Sequence, residues 1–203
     1  MNNIATIMRT SPVIPVLVVH DVAHAIPIAE ALVSGGLRVL EVTLRTAAAL
    51  DVIRAMKQVP GAIVGAGTVL NPRDLDAALS AGAEFIVSPG LTENLAKTAR
   101  DREVPFLPGI ANASDIMRGL DLGLDCFKFF PAEAAGGLQA LKALAAPFHH
   151  VRFCPTGGIT VNSAGSWLAE DAVLCVGGSW LVGKGAPDPA AIRAAAKAAA
   201  RIV

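Results

Sequence analysis

The sequence has no excess of charge of either sign, and it lacks any uninterrupted apolar segment of membrane-spanning length. Its 203 residues contain 17 lysines and arginines and 17 aspartates and glutamates, so the formal net charge is zero. A nucleic-acid-binding domain would normally carry a clustered basic excess. A membrane span needs roughly 18 consecutive apolar residues, and Gly, Pro or a polar residue interrupts the long uncharged stretches. We therefore expect a soluble domain that binds neither nucleic acid nor a membrane.

Cysteine is scarce and odd in number, which excludes a complete disulfide framework. The three cysteines lie in or beside apolar segments, at Cys126, Cys154 and Cys175. Free cysteine in such surroundings behaves as a small buried hydrophobe, which favours a reducing compartment, so we expect the cytoplasm. A competing interpretation takes Arg9 and the apolar residues 12–19 as a secretion signal. Two prolines interrupt that segment, and a first core strand is therefore the preferred interpretation.

Two motifs that could indicate a bound cofactor lack the residues they need. Residues 178–185, GSWLVGKG, have the skeleton of a nucleotide-binding P-loop, but Gly185 stands where Ser or Thr would hold magnesium. The histidines show no zinc-ligand spacing; they are His20, His24, His149 and His150. We therefore predict no metal site and no cofactor.

Apolar, β-branched runs alternate with helix-like segments along the chain. Eight runs begin between 20 and 26 residues apart, and they cover residues 13–19, 39–41, 63–65, 85–88, 106–108, 126–130, 152–156 and 174–176. Helical patterns such as those at 23–34 and 74–81 separate them, and the pattern at 188–203 predicts a closing helix. Continuous apolar strands between helices imply a parallel sheet covered on both faces. We predict an α/β fold, a single-domain (β/α)8 TIM barrel over residues 1–203, with an open doubly wound sheet as the alternative.

Lys128 is the most informative residue, because it lies inside the apolar segment 126–130. Burial disfavours a charged ammonium, and a neutral amine can attack a carbonyl carbon to form a Schiff base. Glu41 is the only carboxylate that strand alternation places inward in the middle or at the end of a predicted strand. A purely structural ion pair often contributes little net stability, so a buried lysine and glutamate at one end of a barrel favour catalysis.

The loops after the predicted strands suit anion binding. Arg45 follows Glu41 by four residues, and its fork of donors suits a small carboxylate, although a salt bridge at the rim is the alternative. Glycine pairs at 157–158 and 177–178 follow the seventh and eighth runs. These two loops often form the phosphate site of a TIM barrel, so phosphate binding is preferred over simple turn formation.

Five segments together resemble the family of 2-keto-3-deoxy-6-phosphogluconate (KDPG) aldolases, which are also described as 2-keto-4-hydroxyglutarate (KHG) aldolases. The segments are EVTLRT from residue 41, GAGTVL from 65, SPG from 88, FKFFPAE from 127 and FCPTGG from 153. The resemblance covers residues 12–182 and implies a class I, metal-free aldolase with a (β/α)8 fold that assembles as a homotrimer. Two segments depart from the family pattern, namely Ala111-Asn112-Ala113 and the short connection 183–188.

The resemblance also implies roles for individual residues. Lys128 would be the Schiff-base lysine, and Glu41 would be the general acid and base. The substrate-binding residues would be Arg45, Thr68, Pro89, Phe130 and Thr156. The phosphate-binding residues would be Gly157, Gly158, Gly178 and Ser179. The implied substrates are small 2-keto acids, cleaved to pyruvate and an aldehyde.

Two other function classes fit the phosphate loops. An isomerase or synthase on the same barrel would not need Lys128 to form an imine, and a non-catalytic sugar-phosphate-binding barrel would tolerate the loss of Glu41. Borohydride reduction in the presence of pyruvate distinguishes the three classes, because only the aldolase gives a stable adduct at Lys128.

We expect exhaustive chelation to leave the cleavage rate unchanged, because the four histidines form no zinc-ligand pattern. Pyruvate release is measured before and after dialysis against a chelator. Activity that returns only when a divalent cation is added would refute metal independence.

Overall fold

The computed structural model of the protein describes residues 3–183 and 185–202. Within them, strands alternate with α-helices. The strands are β1 Val13–Leu17, β2 Val39–Thr43, β3 Ile63–Gly67, β4 Ile86–Val87, β5 Phe106–Leu107, β6 Gly109–Ile110, β7 Cys126–Phe129, β8 Arg152–Pro155 and β9 Val176–Gly178. The helices are α1 Ile4–Met8, α2 Ala25–Ser34, α3 Ala49–Met56, α4 Pro72–Ser80, α5 Glu93–Asp101, α6 Ala113–Asp121, α7 Gly137–Ala145, α8 Ala164–Leu168 and α9 Pro189–Ala199.

Some sequence predictions reach beyond the described residues. Lys184 of the P-loop-like segment and Val203 of the predicted closing helix lie outside them, as do residues 1–2. Among residues 3–183 and 185–202, no helix has both the length and the apolar character that crossing a bilayer requires.

The strands pair in parallel and form one curled sheet system. Six strands follow the order β5-β4-β3-β2-β1-β9, and three others follow the order β6-β7-β8. Pro108 alone separates β5 from β6. An isolated parallel bridge joins Thr156, directly after β8, to Gly177 of β9. The alternation of the sequence therefore correctly predicted a single α/β domain with a parallel sheet.

The predicted elements match the structure apart from their ends. The predicted strand 106–108 is divided at Pro108, because proline has no N–H to donate to a ladder. The predicted strand 174–176 lies two residues later, at Val176–Gly178.

Residues 12–19 contain β1, which pairs with β2 and β9, as the interpretation of this segment as a core strand predicted. The altered segment 111–113 leads into α6, which begins at Ala113, and the Asn112 side chain caps the helix by accepting a hydrogen bond from the Asp115 backbone N–H.

Two layers of apolar side chains cover the two faces of the sheet. The outer layer lies between strands and helices and includes Leu40 and Val64. The inner layer is enclosed by the strands and includes Ile14, Val39 and the three cysteines. Strand alternation produces this division, because successive side chains point to opposite faces.

Helix α1, which the sequence patterns did not predict, packs against the inner layer. The Asn3 side chain caps it by accepting a hydrogen bond from the Thr6 backbone N–H at 2.8 Å. Ile7 and Met8 are fully buried and belong to the same apolar cluster as Ile14. This helix therefore covers the side of the inner layer that lies away from the loops following the strands.

Candidate active site

Lys128 and Glu41 meet on the inner face of the sheet. Lys128 lies on β7 and Glu41 on β2, and the Lys128 Nζ donates a hydrogen bond to Glu41 Oε1 at 3.1 Å. Only 6% of Lys128 and 3% of Glu41 is exposed to solvent. Their inward neighbours two residues earlier, Cys126 and Val39, belong to the inner apolar layer. Strand alternation therefore brings the two candidate catalytic residues together directly above that layer.

Gly67 provides the space that the Glu41 carboxylate occupies. Strands β2 and β3 pair with Glu41 opposite Gly65 and Thr43 opposite Gly67. A Cβ atom at Gly67 would lie 2.2 Å from Glu41 Oε1 and 2.7 Å from its Cγ. No pattern in the sequence indicates a role for Gly67, because this requirement comes from the register of the neighbouring strand.

Phe130 and Thr156 line the site beside Lys128. The Lys128 Nζ lies 5.4 Å from the centroid of the Phe130 ring, which is within the range of a cation–π interaction. The Thr156 side chain is buried and packs over Gly177, where a Cβ would lie 2.3 Å from Thr156 Oγ1. A second glycine therefore makes room for a polar group of the site.

Arg45 is exposed, and a chain of hydrogen bonds holds it. Its Nε donates to Thr43 Oγ1 at 3.1 Å, and that hydroxyl donates to the Leu17 carbonyl at 2.8 Å. The ion pairs within the described residues do not include Arg45. The structure therefore contains no salt bridge of Arg45 with the described residues.

Thr68 and Pro89 lie in the loops after β3 and β4. Thr68 is half-buried and has a φ of 58°, a left-handed conformation that is unusual for a β-branched residue. Such conformations cluster at functional sites. Pro89 is exposed, and its carbonyl oxygen would lie 2.1 Å from a Cβ at Gly109. The loop after β4 thus packs on the chain where β6 begins.

The glycine turns lie at the same end of the sheet. Gly157 and Gly158 have φ values of 103° and 82°, and Gly178 ends β9 with Ser179 exposed directly after it. A cavity of about 760 Å³ is lined by Ser179 and also by Val16, whose partner in the adjacent strand is Glu41. Neither Lys128 nor Glu41 is part of its lining. Ser179 therefore faces open space beside β1, the strand next to the one that carries Glu41.

Among the described residues, the other titratable groups form no competing centre. No group of three His, Cys, Asp or Glu side chains in the described part of the chain is placed to hold a metal ion. All three cysteines are free and buried, as expected. Burial raises the pKa of the Cys126 thiol to about 12 and the pKa of the Cys175 thiol well above its ordinary value. These two thiols are therefore poor nucleophiles near neutral pH.

Comparisons with known proteins identify the family. A family model described as KDPG and KHG aldolase matches residues 4–195. The 2-dehydro-3-deoxy-phosphogluconate aldolase of Zymomonas mobilis is 62% identical over 98% of this chain and 96% of its own length. The KHG/KDPG aldolase of Escherichia coli is 59% identical over 87% of this chain and 84% of its own length.

Solved structures agree with the sequence comparisons. The KDPG aldolase of Legionella pneumophila, with pyruvate captured as a covalent carbinolamine intermediate, is 41% identical and covers 98% of both chains with a TM-score of 0.95. The Zymomonas mobilis aldolase with 3-phosphoglycerate superposes with a TM-score of 0.97 over 98% of this chain and 96% of that one. The resemblance predicted from five sequence segments is thus confirmed, and the chain belongs to the KDPG and KHG aldolase family.

Proposed function

We propose that this protein is a class I aldolase that cleaves KDPG to pyruvate and glyceraldehyde 3-phosphate, and KHG to pyruvate and glyoxylate. The observation that carries the proposal is the buried contact of 3.1 Å between Lys128 Nζ and Glu41 Oε1. A primary amine in a buried site is the group that forms an imine with a ketone, and a carboxylate beside it can move the protons that each step requires. The curated relatives carry the names of both activities.

The chemistry begins when the Lys128 amine attacks the C2 ketone of the substrate. The carbinolamine that forms loses water to give an iminium ion, which withdraws electrons from the C3–C4 bond. Glu41, acting through a water molecule, accepts the proton of the C4 hydroxyl, and the C3–C4 bond breaks. Its electron pair neutralises the iminium as an enamine, and the aldehyde leaves. Protonation of the enamine at C3 and hydrolysis of the imine then release pyruvate and restore Lys128.

The surroundings of the pair fit this sequence of steps. Glu41 acts first as a base and later as an acid, which requires a carboxylate held close to the reacting carbons. Gly67 gives that carboxylate its space, and Phe130 covers one side of the Lys128 amine. Arg45 and Thr68 would bind the carboxylate end of the 2-keto acid, with Pro89 beside them, and Thr156 would contact the aldehyde end. No metal or organic cofactor takes part in these steps.

The phosphate of KDPG would lie at Gly157, Gly158, Gly178 and Ser179. Left-handed glycines allow a backbone to present its N–H groups to an anion without a side chain in the way. Ser179 adds a hydroxyl donor and faces the cavity of about 760 Å³. The phosphate and the reacting carbons would therefore be bound by different strands of the sheet.

We further infer that the sheet system is one (β/α)8 barrel extending over the whole chain, 1–203. Pro108 interrupts the ladder between β5 and β6, yet its carbonyl accepts a hydrogen bond from the Lys128 backbone N–H at 2.9 Å, so the chain continues past the break. The bridge between Thr156 and Gly177 supports closure on the other side of β8. The family resemblance supports a homotrimer, and the odd number of cysteines supports a cytoplasmic location.

Replacing Lys128 with Met is expected to abolish cleavage, because Met fills a similar apolar volume and cannot form an imine. Met adds no charge of its own to the buried site, so the fold should persist. The measurements are pyruvate release and the mass of the protein after borohydride reduction with pyruvate. Lys97→Met, on the exposed face of α5, is the control and should keep both activity and adduct. Substantial turnover by Lys128→Met would exclude the Schiff-base assignment.

Replacing Gly67 with Ala is expected to lower kcat by about a hundredfold, because the new Cβ displaces the Glu41 carboxylate by roughly an ångström or more. Borohydride trapping of pyruvate at Lys128 should remain detectable, since the amine itself is untouched. Gly165→Ala is the matched control, because its Cβ would meet only Ile202 at an ordinary 3.7 Å. Unchanged kcat in Gly67→Ala would mean that the position of Glu41 does not limit the reaction.

Replacing Ser179 with Leu is expected to lower kcat/KM for KDPG by about ten- to a hundredfold, the equivalent of one hydrogen bond to a charged group. Cleavage of a non-phosphorylated 4-hydroxy-2-keto acid should change far less, because Lys128 and Glu41 lie on other strands. The two specificity constants are measured side by side. Equal losses for both substrates would show that Ser179 supports the fold rather than the phosphate.

A further inference from the structure

Glu133 connects the loop that follows the lysine strand to the glycine turn after β8. It lies five residues after Lys128, and its backbone N–H donates to the Gly157 carbonyl at 3.1 Å. The preceding residue, Ala132, donates in the same way to the Thr156 carbonyl at 2.8 Å. Two consecutive backbone hydrogen bonds therefore hold the Thr156–Gly157 segment against the loop after β7.

The Glu133 side chain also packs on the next glycine of the turn. A Cβ at Gly158 would lie 2.6 Å from Glu133 Cγ, so only a glycine allows the side chain to lie this close. The Gly158 N–H belongs to the same peptide unit as the Gly157 carbonyl, which accepts the hydrogen bond from Glu133. Because the N–H and C=O groups of a trans peptide point in opposite directions, the Gly158 N–H points away from the Glu133 backbone. Within the described residues that N–H donates no backbone hydrogen bond.

The Glu133 carboxylate is anchored by a buried tryptophan. The Trp167 Nε1 donates to Glu133 Oε1 at 3.3 Å, and Trp167 is only 2% exposed. Trp167 lies on α8, and its ring packs at a tilt against Phe129, with the centroids 6.4 Å apart. Phe129 is the residue next to Lys128. An indole N–H that is buried needs an acceptor, and the carboxylate of an otherwise exposed residue supplies it.

We propose that Glu133 is a positioning residue that fixes the Gly157–Gly158 turn for the substrate phosphate, with Trp167 as its anchor. The proposal rests on the function proposed above. Glu133 does not touch the reacting carbons, and it acts by holding the turn whose N–H groups would face the anion. The turn requires Glu133 to supply a hydrogen-bond acceptor on a side chain of the correct length. It does not require the negative charge of Glu133, because a negative charge beside a phosphate would only repel it.

Two substitutions of Glu133 should differ in their effect on KDPG binding, whereas a general loss of stability would not distinguish them in this way. Glu133→Gln keeps an acceptor for the Trp167 N–H and should bind KDPG with a KM within about twofold of the unchanged protein. Glu133→Ala removes the anchor and should raise the KM for KDPG by about tenfold, the equivalent of one weakened hydrogen bond to phosphate, with a smaller change in kcat. Trp167→Phe keeps an aromatic ring without the N–H and should raise the same KM.

The test measures kcat and KM for KDPG in these three variants and in the double variant Glu133→Ala with Trp167→Phe. Because both changes break one bond, their effects on KM should not multiply. Exchange of the methyl protons of pyruvate with deuterium, followed by NMR without any aldehyde, reports the imine and enamine steps alone. This exchange should stay within about twofold in every variant. Glu93→Ala, on the outer surface of α5, is the control for loss of an exposed carboxylate.

Three results would overturn the positioning role. They are an unchanged KM in both Glu133→Ala and Trp167→Phe, equal losses of KDPG cleavage and pyruvate exchange, or a Glu133→Gln variant as impaired as Glu133→Ala. If Glu133→Ala does not fold, Glu133→Gln and Trp167→Phe still decide the question. Absence of pyruvate exchange in the unchanged protein would instead overturn the proposed function, and the positioning role with it.

Discussion

The contact between Lys128 and Glu41 is the interaction on which the rest of the site depends. Two charged side chains that lie 87 residues apart in the sequence are almost completely removed from water and hold each other at 3.1 Å. Removing one partner of such a pair typically costs about 3–5 kcal/mol, because the other charge is left buried and unpaired. Replacing both partners of such a pair with well-packed apolar residues is often neutral or stabilising, so stability alone does not account for this pair. Under the proposed function its role is chemical, since the amine can form an imine and the carboxylate beside it can transfer protons.

The strands separate this chemistry from the stability of the domain. Below the pair, the inward side chains form an apolar layer that contains Ile14, Val39 and the buried cysteines. Above it, the inward positions are occupied by glycines and hydroxyl residues, such as Gly67, Thr156 and Gly177. Because each glycine has no side chain, a polar side chain from a neighbouring strand can occupy the space beside it. In each strand, therefore, one inward residue packs in the apolar layer, and the inward residue two positions later lies in the site.

The sequence predicted those parts of the fold and site that depend on one segment at a time. Lys128 and Glu41 could be found because a charge inside an apolar strand is conspicuous by itself. The space that Gly67 provides and the bond between Glu133 and Trp167 could not be found in this way. Both depend on which residues the register and the loop packing bring together, and no pattern within one segment contains that information. The division at Pro108 was missed for a related reason, because proline interrupts only the ladder in which its N–H would have taken part.

Helix α1 has a consequence for the order of events in the reaction. It covers the inner layer with Ile7 and Met8, so the end of the sheet opposite the loops is filled by apolar side chains. Under the function proposed above, substrate and products would therefore enter and leave at the loop end. Under the proposed mechanism, the pyruvate part is attached at Lys128, deep in that entrance, while the aldehyde lies nearer its mouth. Product release is consequently ordered, and the aldehyde leaves first. Pyruvate can afterwards bind again at the innermost position without the aldehyde.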